Sequence, residues 1–391
     1  MDYRQAASAL AAQTSDWRRD FHQHPELGFA EYRTAGIVAQ TLNDLGLEVQ
    51  TGVGKTGVVG ILSGAANGPT VLVRCDMDAL PIHETTGAAY ASVTPGVMHA
   101  CGHDGHTAIG LTVAHLLHAQ REHLHGQVKF VFQPAEEIAG GARAMIEDGV
   151  LTDPAPDVAL GLHLWNTSPV GEVAVVGGPL MAGADTFEIT VHGRGGHGGL
   201  PHEAIDPVLA AAHIITALQS IVSRNVSASD AAVVSVTSVQ AGNTDNVIPS
   251  EAYLLGTLRT FRPAVHDLVM RRVREIATAT AATFGCEAEV KITELTPPVV
   301  NDPGVAARVR QAIRPYVAAE RVIDSLQTAT AEDMAIFLNH VPGCFFFVGS
   351  ANSARGLDAP HHHPRFDFDE AALSLGAALL AAAVADYVIP G

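Results

Sequence analysis

Five short apolar runs punctuate the chain, at residues 57–62, 70–74, 127–132, 158–162 and 344–349. Each is rich in β-branched or aromatic residues and bounded by Gly, Pro or polar residues, the pattern of strands buried on both faces. Residues 107–122 and 142–148 have helical spacing and lie between some of these runs. Ahead of them, residues 3–46 read as two helices around residues 22–28, the second closed by Gly46. Residues 371–385 are Ala-rich with the periodicity of a closing helix. Strands and helices in this succession predict an α/β fold, a sheet covered by helices.

The texture changes between residues 182 and 293. Two-residue alternation at 186–191, 232–239 and 252–260 predicts half-buried strands, and 207–223 and 265–283 predict helices. The order strand, helix, strand, strand, helix, strand is that of a ferredoxin-like α+β unit. The expected organisation is therefore one domain from residues 1–181 and 294–391, interrupted by an inserted domain at 182–293. A length of 391 residues independently favours two cores over one.

Charge narrows the possible partners. A net charge of −18 opposes binding to nucleic acid or anionic lipid. Apolar runs are too short to cross a bilayer, and Asp2, Arg4, Asp16, Arg18, Arg19 and Asp20 interrupt any secretory signal. Four cysteines without CxxC spacing suit free thiols and a cytoplasmic location. The 20 histidines, many beside Cys, Asp or Glu, point to metal.

The apolar runs end in similar chemistry. Asp76 and Asp78 follow the second, Glu136 and Glu137 the third and His163 the fourth, while His361–His363 come after the fifth. Carboxyl ends of strands in an open α/β sheet converge on one crevice, so these residues assemble a site. In His99-Ala100-Cys101-Gly102-His103-Asp104, an extended turn would point Cys101 and His103 to the same side and let them share a metal. The competing reading is a polar turn in which Asp104 or Thr107 caps a helix. Adjacent Glu136 and Glu137 cannot face the same way, so one can hold a metal while the other addresses water. In the inserted segment, Gly193–Gly199 surrounds His197 with glycines that let the backbone approach a substrate, while residues 242–249 form a second turn-rich loop and Arg259 follows a strand.

These residues, with His24-Pro25-Glu26-Leu27, Asp76-Met77-Asp78-Ala79-Leu80-Pro81, Asn246-Val247-Ile248-Pro249, Gly256–Thr260 and His362-His363-Pro364, closely resemble the two-zinc aminoacylase and carboxypeptidase superfamily. The resemblance is to the amidohydrolase branch of hippurate hydrolases and plant indoleacetyl-amino-acid hydrolases. It implies a metal-dependent exopeptidase-like catalytic domain with a mixed sheet, and an inserted lid and dimerisation domain. It further implies two divalent metal ions, Zn or Mn, Co or Ni, held by Cys101, His103, Glu137, His163 and His362 with Cys101 bridging. Glu136 would be the general base, His197 the oxyanion donor, Asn246 and Arg259 the substrate-binding residues, and Asp76 and Asp78 the groups that orient ligands. Many members of this branch have Asn or Ser where this chain has His363, and spacing to Pro364 favours His362 as the ligand. The implied substrate is an N-acyl amino acid and the implied assembly a homodimer or dimer-based tetramer. The same chemistry on a dipeptide or N-acetyl-diaminopimelate, or a catalytically inactive metal-binding regulator, are the rival readings. A zinc nucleoside deaminase is excluded because its PCxxC motif is absent.

Overall fold

In the computed structural model, which describes residues 1–390, the chain divides into two compact units. The first comprises Met1–Gly178, Val300–Leu326 and Asp333 onward; the second comprises Pro179–Val299 with Gln327–Glu332.

An eight-stranded mixed sheet organises the first unit. Its spatial order is Glu48–Val53, Gly57–Ser63, His125–Gln133, Ala66–Asp76, Val158–Pro169, Gly343–Ala351, Val173–Ala174 and Val322–Ile323. The four central strands, from His125–Gln133 to Gly343–Ala351, are mutually parallel, and an antiparallel pair leads into them from one edge. Central position explains the apolar runs: Gly343–Ala351 is buried at every residue, as strands covered on both faces must be. The helices His103–His118 and Ala371–Val388 pack on each other and on this sheet, and most of their residues are buried.

Several expectations need correction. The N-terminal segment holds three helices, Tyr3–Ala9, Ala11–Gln23 and Tyr32–Asp44, because the chain breaks at Leu10. Asp2 caps the first through the amides of Arg4 and Gln5 at 3.0 and 3.2 Å. The helix expected at 107–122 spans His103–His118, so His103 lies in its first turn rather than in an extended segment. Gly102 makes that entry possible, with φ of 98° where an L side chain would be strained. No side chain caps this helix. Asp104 instead accepts from the buried Arg18 Nε at 2.8 Å, and the Thr107 hydroxyl donates to the Asp76 carbonyl. Two helices, Pro207–Asn225 and Ala371–Val388, are in fact long and apolar enough to cross a membrane. The second is mostly buried against the sheet, which accounts for its composition.

The second unit has a four-stranded antiparallel sheet ordered Ala232–Ala241, Glu251–Thr260, Gly183–His192 and Glu287–Thr296. With the helices Pro207–Leu218 and Pro263–Thr283 this is the ferredoxin-like order. Asp206 caps the first helix through the Val208 and Leu209 amides, with Pro207 in its first turn. The unit runs past residue 293 because Glu287–Thr296 pairs with Gly183–His192 as far as Thr296. It also includes Gln327–Glu332, where the Ala182 amide donates to the Thr328 and Thr330 carbonyls.

Candidate metal centre and its surroundings

The first unit gathers the expected residues at the carboxyl side of its parallel strands. Two groups of three potential ligand atoms, each within 4.8 Å of one another, share Cys101: one is Cys101, His103 and His163, the other Cys101, Glu137 and His362. Glu136 lies with His103 and Glu137 in a further group of the same size. His163 sits within its strand rather than at its end, since pairing with Gly343–Ala351 extends the strand to Pro169. His362, with φ of 64°, turns back so that its amide donates to the Ala100 carbonyl at 2.7 Å. Its Nε2 stands 3.3 Å from Glu137 Oε2, whereas His363 Nδ1 accepts from the Arg365 amide.

Hydrogen bonds set the state of each imidazole. His103 Nδ1 donates to the Asp78 carbonyl at 2.9 Å, which leaves Nε2 as the ring nitrogen that faces the cluster. His163 Nδ1 similarly donates to the Leu164 carbonyl at 2.7 Å, leaving Nε2 3.6 Å from Cys101 Sγ. His106 is different: Nδ1 contacts Asp76 at 2.6 Å and Nε2 accepts from the Leu164 amide at 2.8 Å. Both of its nitrogens are committed, so it braces the site rather than offering a ligand. His361 Nε2 likewise accepts from the Asn166 amide. Asp78 joins two ligand candidates, with Oδ1 3.3 Å from His103 Nδ1 and Oδ2 accepting from the Glu137 amide at 3.0 Å.

A metal pair fits these residues. Buried His103 Nε2 and Glu137 Oε1 have no hydrogen-bond partner, an arrangement that is costly unless a cation accepts their electrons. Sulfur, nitrogen and carboxylate donors together suit Zn and neighbouring divalent metals. Electrostatics agree: burial opposes charge on His103, but Asp76, Asp78 and Cys101 hold its pKa well above the usual value. Hydrogen bonding to Cys101 and Glu137 raises that of His362 to about 10. The protein field therefore favours positive charge at His103 and His362, whereas burial and the imidazoles of His106 and His361 push the pKa of His163 well below the usual value. Burial pushes the Cys101 thiol up, with Glu137 adding to the effect, so thiolate formation calls for a cation.

The turn carrying the two glutamates is tightly folded. Ala135 has φ of 52°, its carbonyl accepts from the Gly140 and Gly141 amides, and the Glu136 carbonyl accepts from Ala139. A Cβ on Gly141 would lie 1.6 Å from the Pro134 carbonyl oxygen. Gly141→Ala is therefore expected to open this turn, lowering both the melting temperature and turnover. Unchanged values of both in the purified variant would contradict the packing described.

The remaining candidates lie in the second unit. His197 is exposed on the two-residue strand Gly196–His197, which pairs with Val247–Ile248. Its Nδ1 accepts from the Gly199 amide at 2.9 Å, so the neutral ring carries its proton on Nε2. Asn246 is brought to the same loop pair, its carbonyl accepting from the Gly198 amide at 2.8 Å. Arg259 lies inside Glu251–Thr260 rather than after it, and donates to the Thr257 hydroxyl and the Leu258 carbonyl.

Sequence reading missed the supports beneath the site. Arg74 is fully buried and donates to Asp76 Oδ2, Gln133 Oε1 and Asp333 Oδ1 at 2.6, 2.8 and 2.8 Å. Its signal was a cation in an apolar strand, Val71-Leu72-Val73-Arg74-Cys75.

Comparison with known proteins places this architecture. N-acetylcysteine deacetylase of Bacillus subtilis is 41% identical over 371 residues, covering 95% of both chains. IAA-amino acid hydrolase ILR1-like 2 of Arabidopsis thaliana is 37% identical over 388 residues, covering 97% of this chain and 87% of that protein. Among solved structures, the Bacillus subtilis YXEP protein, described as a dinuclear metal binding peptidase, superposes with a TM-score of 0.84 at 38% identity over 97% of this chain and 99% of its own. The family model of peptidases M20/M25/M40 matches residues 72–386, and the chain belongs to that family.

Proposed function

We propose that the protein hydrolyses the amide bond of N-acyl amino acids, releasing a carboxylic acid and a free amino acid. The observation that carries this is the pair of ligand groups sharing Cys101, with the additional carboxylate of Glu136 beside Glu137. A pure metal binder has no use for that second acid, so the regulatory reading is less favoured. The N-acetylcysteine named in the deacetylase and the IAA-amino acid named in the plant relative support this substrate class.

Cys101, His103, Glu137, His163 and His362 would hold two divalent ions, with Cys101 common to both. Such a pair supplies Lewis acidity and lowers the pKa of water towards about 7. Glu136 accepts a proton from the attacking water as its oxygen bonds to the amide carbon. The proton then passes from Glu136 to the leaving nitrogen as the C–N bond breaks. His197 Nε2–H donates to the oxyanion, a contribution of roughly 2.7 to 4 kcal/mol. Arg259 pairs with the substrate carboxylate and Asn246 aligns the amide. Asp76 and Asp78 keep the histidines and Glu137 in register. Zn, Mn, Co and Ni are all compatible with the donor set.

The direct test is turnover after metal reconstitution on hippurate and N-acetyl amino acids, alongside a dipeptide and N-acetyl-diaminopimelate. Preference for the last two would move the assignment within the family. Full loading with two metals but no hydrolysis of any amide would sink it.

A cytoplasmic homodimer completes the proposal. All four cysteines are unpaired, as a reducing compartment requires. In a two-fold dimer His197 serves the partner's site. Refolding inactive His197→Ala and Glu136→Ala chains together should recover about a quarter of wild-type activity, from mixed dimers with one intact site. No recovery despite demonstrated mixed dimers and full metal loading would place His197 in its own chain's site or outside catalysis altogether.

A further inference from the structure

The His24-Pro25-Glu26-Leu27-Gly28-Phe29-Ala30-Glu31 segment has no part in the chemistry above, yet it carries two glutamates with separate tasks. Glu31 occupies the N-cap position of Tyr32–Asp44 but makes no side-chain cap bond. Glu26 does that work instead, accepting from the Arg33 and Thr34 amides at 2.9 and 2.8 Å. The Glu31 carboxylate is thereby released to face inward, where it is completely buried. Its Oε1 accepts from the Ala135 amide at 2.8 Å and its Oε2 from the Thr56 hydroxyl at 2.5 Å. Ala135 immediately precedes Glu136 and Glu137 and has a left-handed backbone, as does Ala139 after them. Gly28 closes against it, since a Cβ there would sit 3.0 Å from Ala135 Cα.

Burial, helped by the charge of Asp78, holds the Glu31 carboxyl above the usual carboxylate range even though Thr56, its own amide and the Ala135 amide pull the other way. A carboxylate is a costly choice for a purely structural contact in such a place. A left-handed alanine also needs external fixing, because its own torsional preference opposes it. We propose that Glu31 is a positioning residue: by gripping the Ala135 amide it holds the turn that aims Glu136 at water and Glu137 at the metal.

This rests on the roles assigned to Glu136 and Glu137, and the test separates the two ideas. In the full-length, metal-loaded protein, Glu31→Leu should lower kcat by about ten- to a hundredfold with KM changed by less than about twofold. It should also shift the visible absorption of the Co²⁺-loaded form, as the Glu137 carboxylate turns. Glu31→Gln, whose Oε1 still accepts from Ala135, should restore most of kcat and the parental spectrum. Glu26→Ala should reduce the melting temperature without lowering kcat. If Glu31→Leu does not fold, Thr56→Val serves in its place and should reduce kcat several-fold. An unchanged kcat and spectrum in the Leu variant, or in the Val variant where that one is used, overturns the proposal. So does a kcat loss equal to that of Glu26→Ala. A fully active Glu136→Gln would instead remove the base assignment, leaving the Co²⁺ spectrum to decide whether Glu31 sets the turn.

Discussion

Glu136→Gln is expected to lower kcat by about 10²- to 10⁴-fold while the protein retains both metal ions. The amide is nearly isosteric but cannot take a proton, and the two groups sharing Cys101 do not include Glu136. Glu137→Gln should behave differently. Its Oε1 is buried without a hydrogen-bond partner and its Oε2 faces His362 at 3.3 Å, so the loss falls on metal retention. Elemental analysis after extensive dialysis, paired with turnover at saturating substrate, distinguishes the variants. Metal loss in the first variant and retention in the second would reverse the division of labour between these carboxylates.

Arg74→Met should destabilise the first unit by about 3–5 kcal/mol, the range for breaking one side of a buried ion pair. Burial opposes charge on Asp76, but His103, Arg74 and His106 hold its carboxyl well below the ordinary range. Asp76 contacts Arg74 at 2.6 Å, and Asp333 meets the same guanidinium at 2.8 Å. Methionine fills much of the volume while leaving both acids without that partner in a dry interior. Urea unfolding of the metal-free protein, which removes the contribution of bound ions, measures the effect. A loss below about 1 kcal/mol would mean that other partners suffice.

Why the glutamates were legible in the sequence, and Arg74 was not, follows from what each position advertises. Glu136 and Glu137 follow an apolar run, so their polarity appears as punctuation at a strand end. The cysteine and histidines are legible as a donor set for the same reason. Arg74 falls at the end of an expected run and so resembles a boundary, although the strand continues to Asp76. Its partner Asp333 is 259 residues away, a separation over which periodicity carries no information. Glu31 is hidden similarly: its position suggests a helix cap, and only the fold brings Ala135 to it from 104 residues downstream. The outer strand Glu287–Thr296 of the second unit was implied by the element order alone. Its Ala288, Val290 and Ile292 alternate with exposed Glu287, Glu289 and Lys291 and pack against that unit's core, but they are only partly buried, and pairing with Gly183–His192 fixes the strand in place. Sequence pattern thus reports burial and punctuation, whereas tertiary packing decides which buried charges meet.

The strand Gly343–Ala351 lies between Val158–Pro169 and Val173–Ala174, two strands that are near neighbours along the chain. During synthesis, those earlier strands therefore emerge with a place between them that only much later sequence can fill. Their facing edges carry unpaired backbone groups in the meantime, a condition that favours chaperone engagement and penalises delay. His362 arrives later still, only 11 residues beyond Ala351 by numbering. Closure of the sheet and completion of the ligand set consequently share one late event in biogenesis, and a nascent chain stopped before Gly343 can accomplish neither.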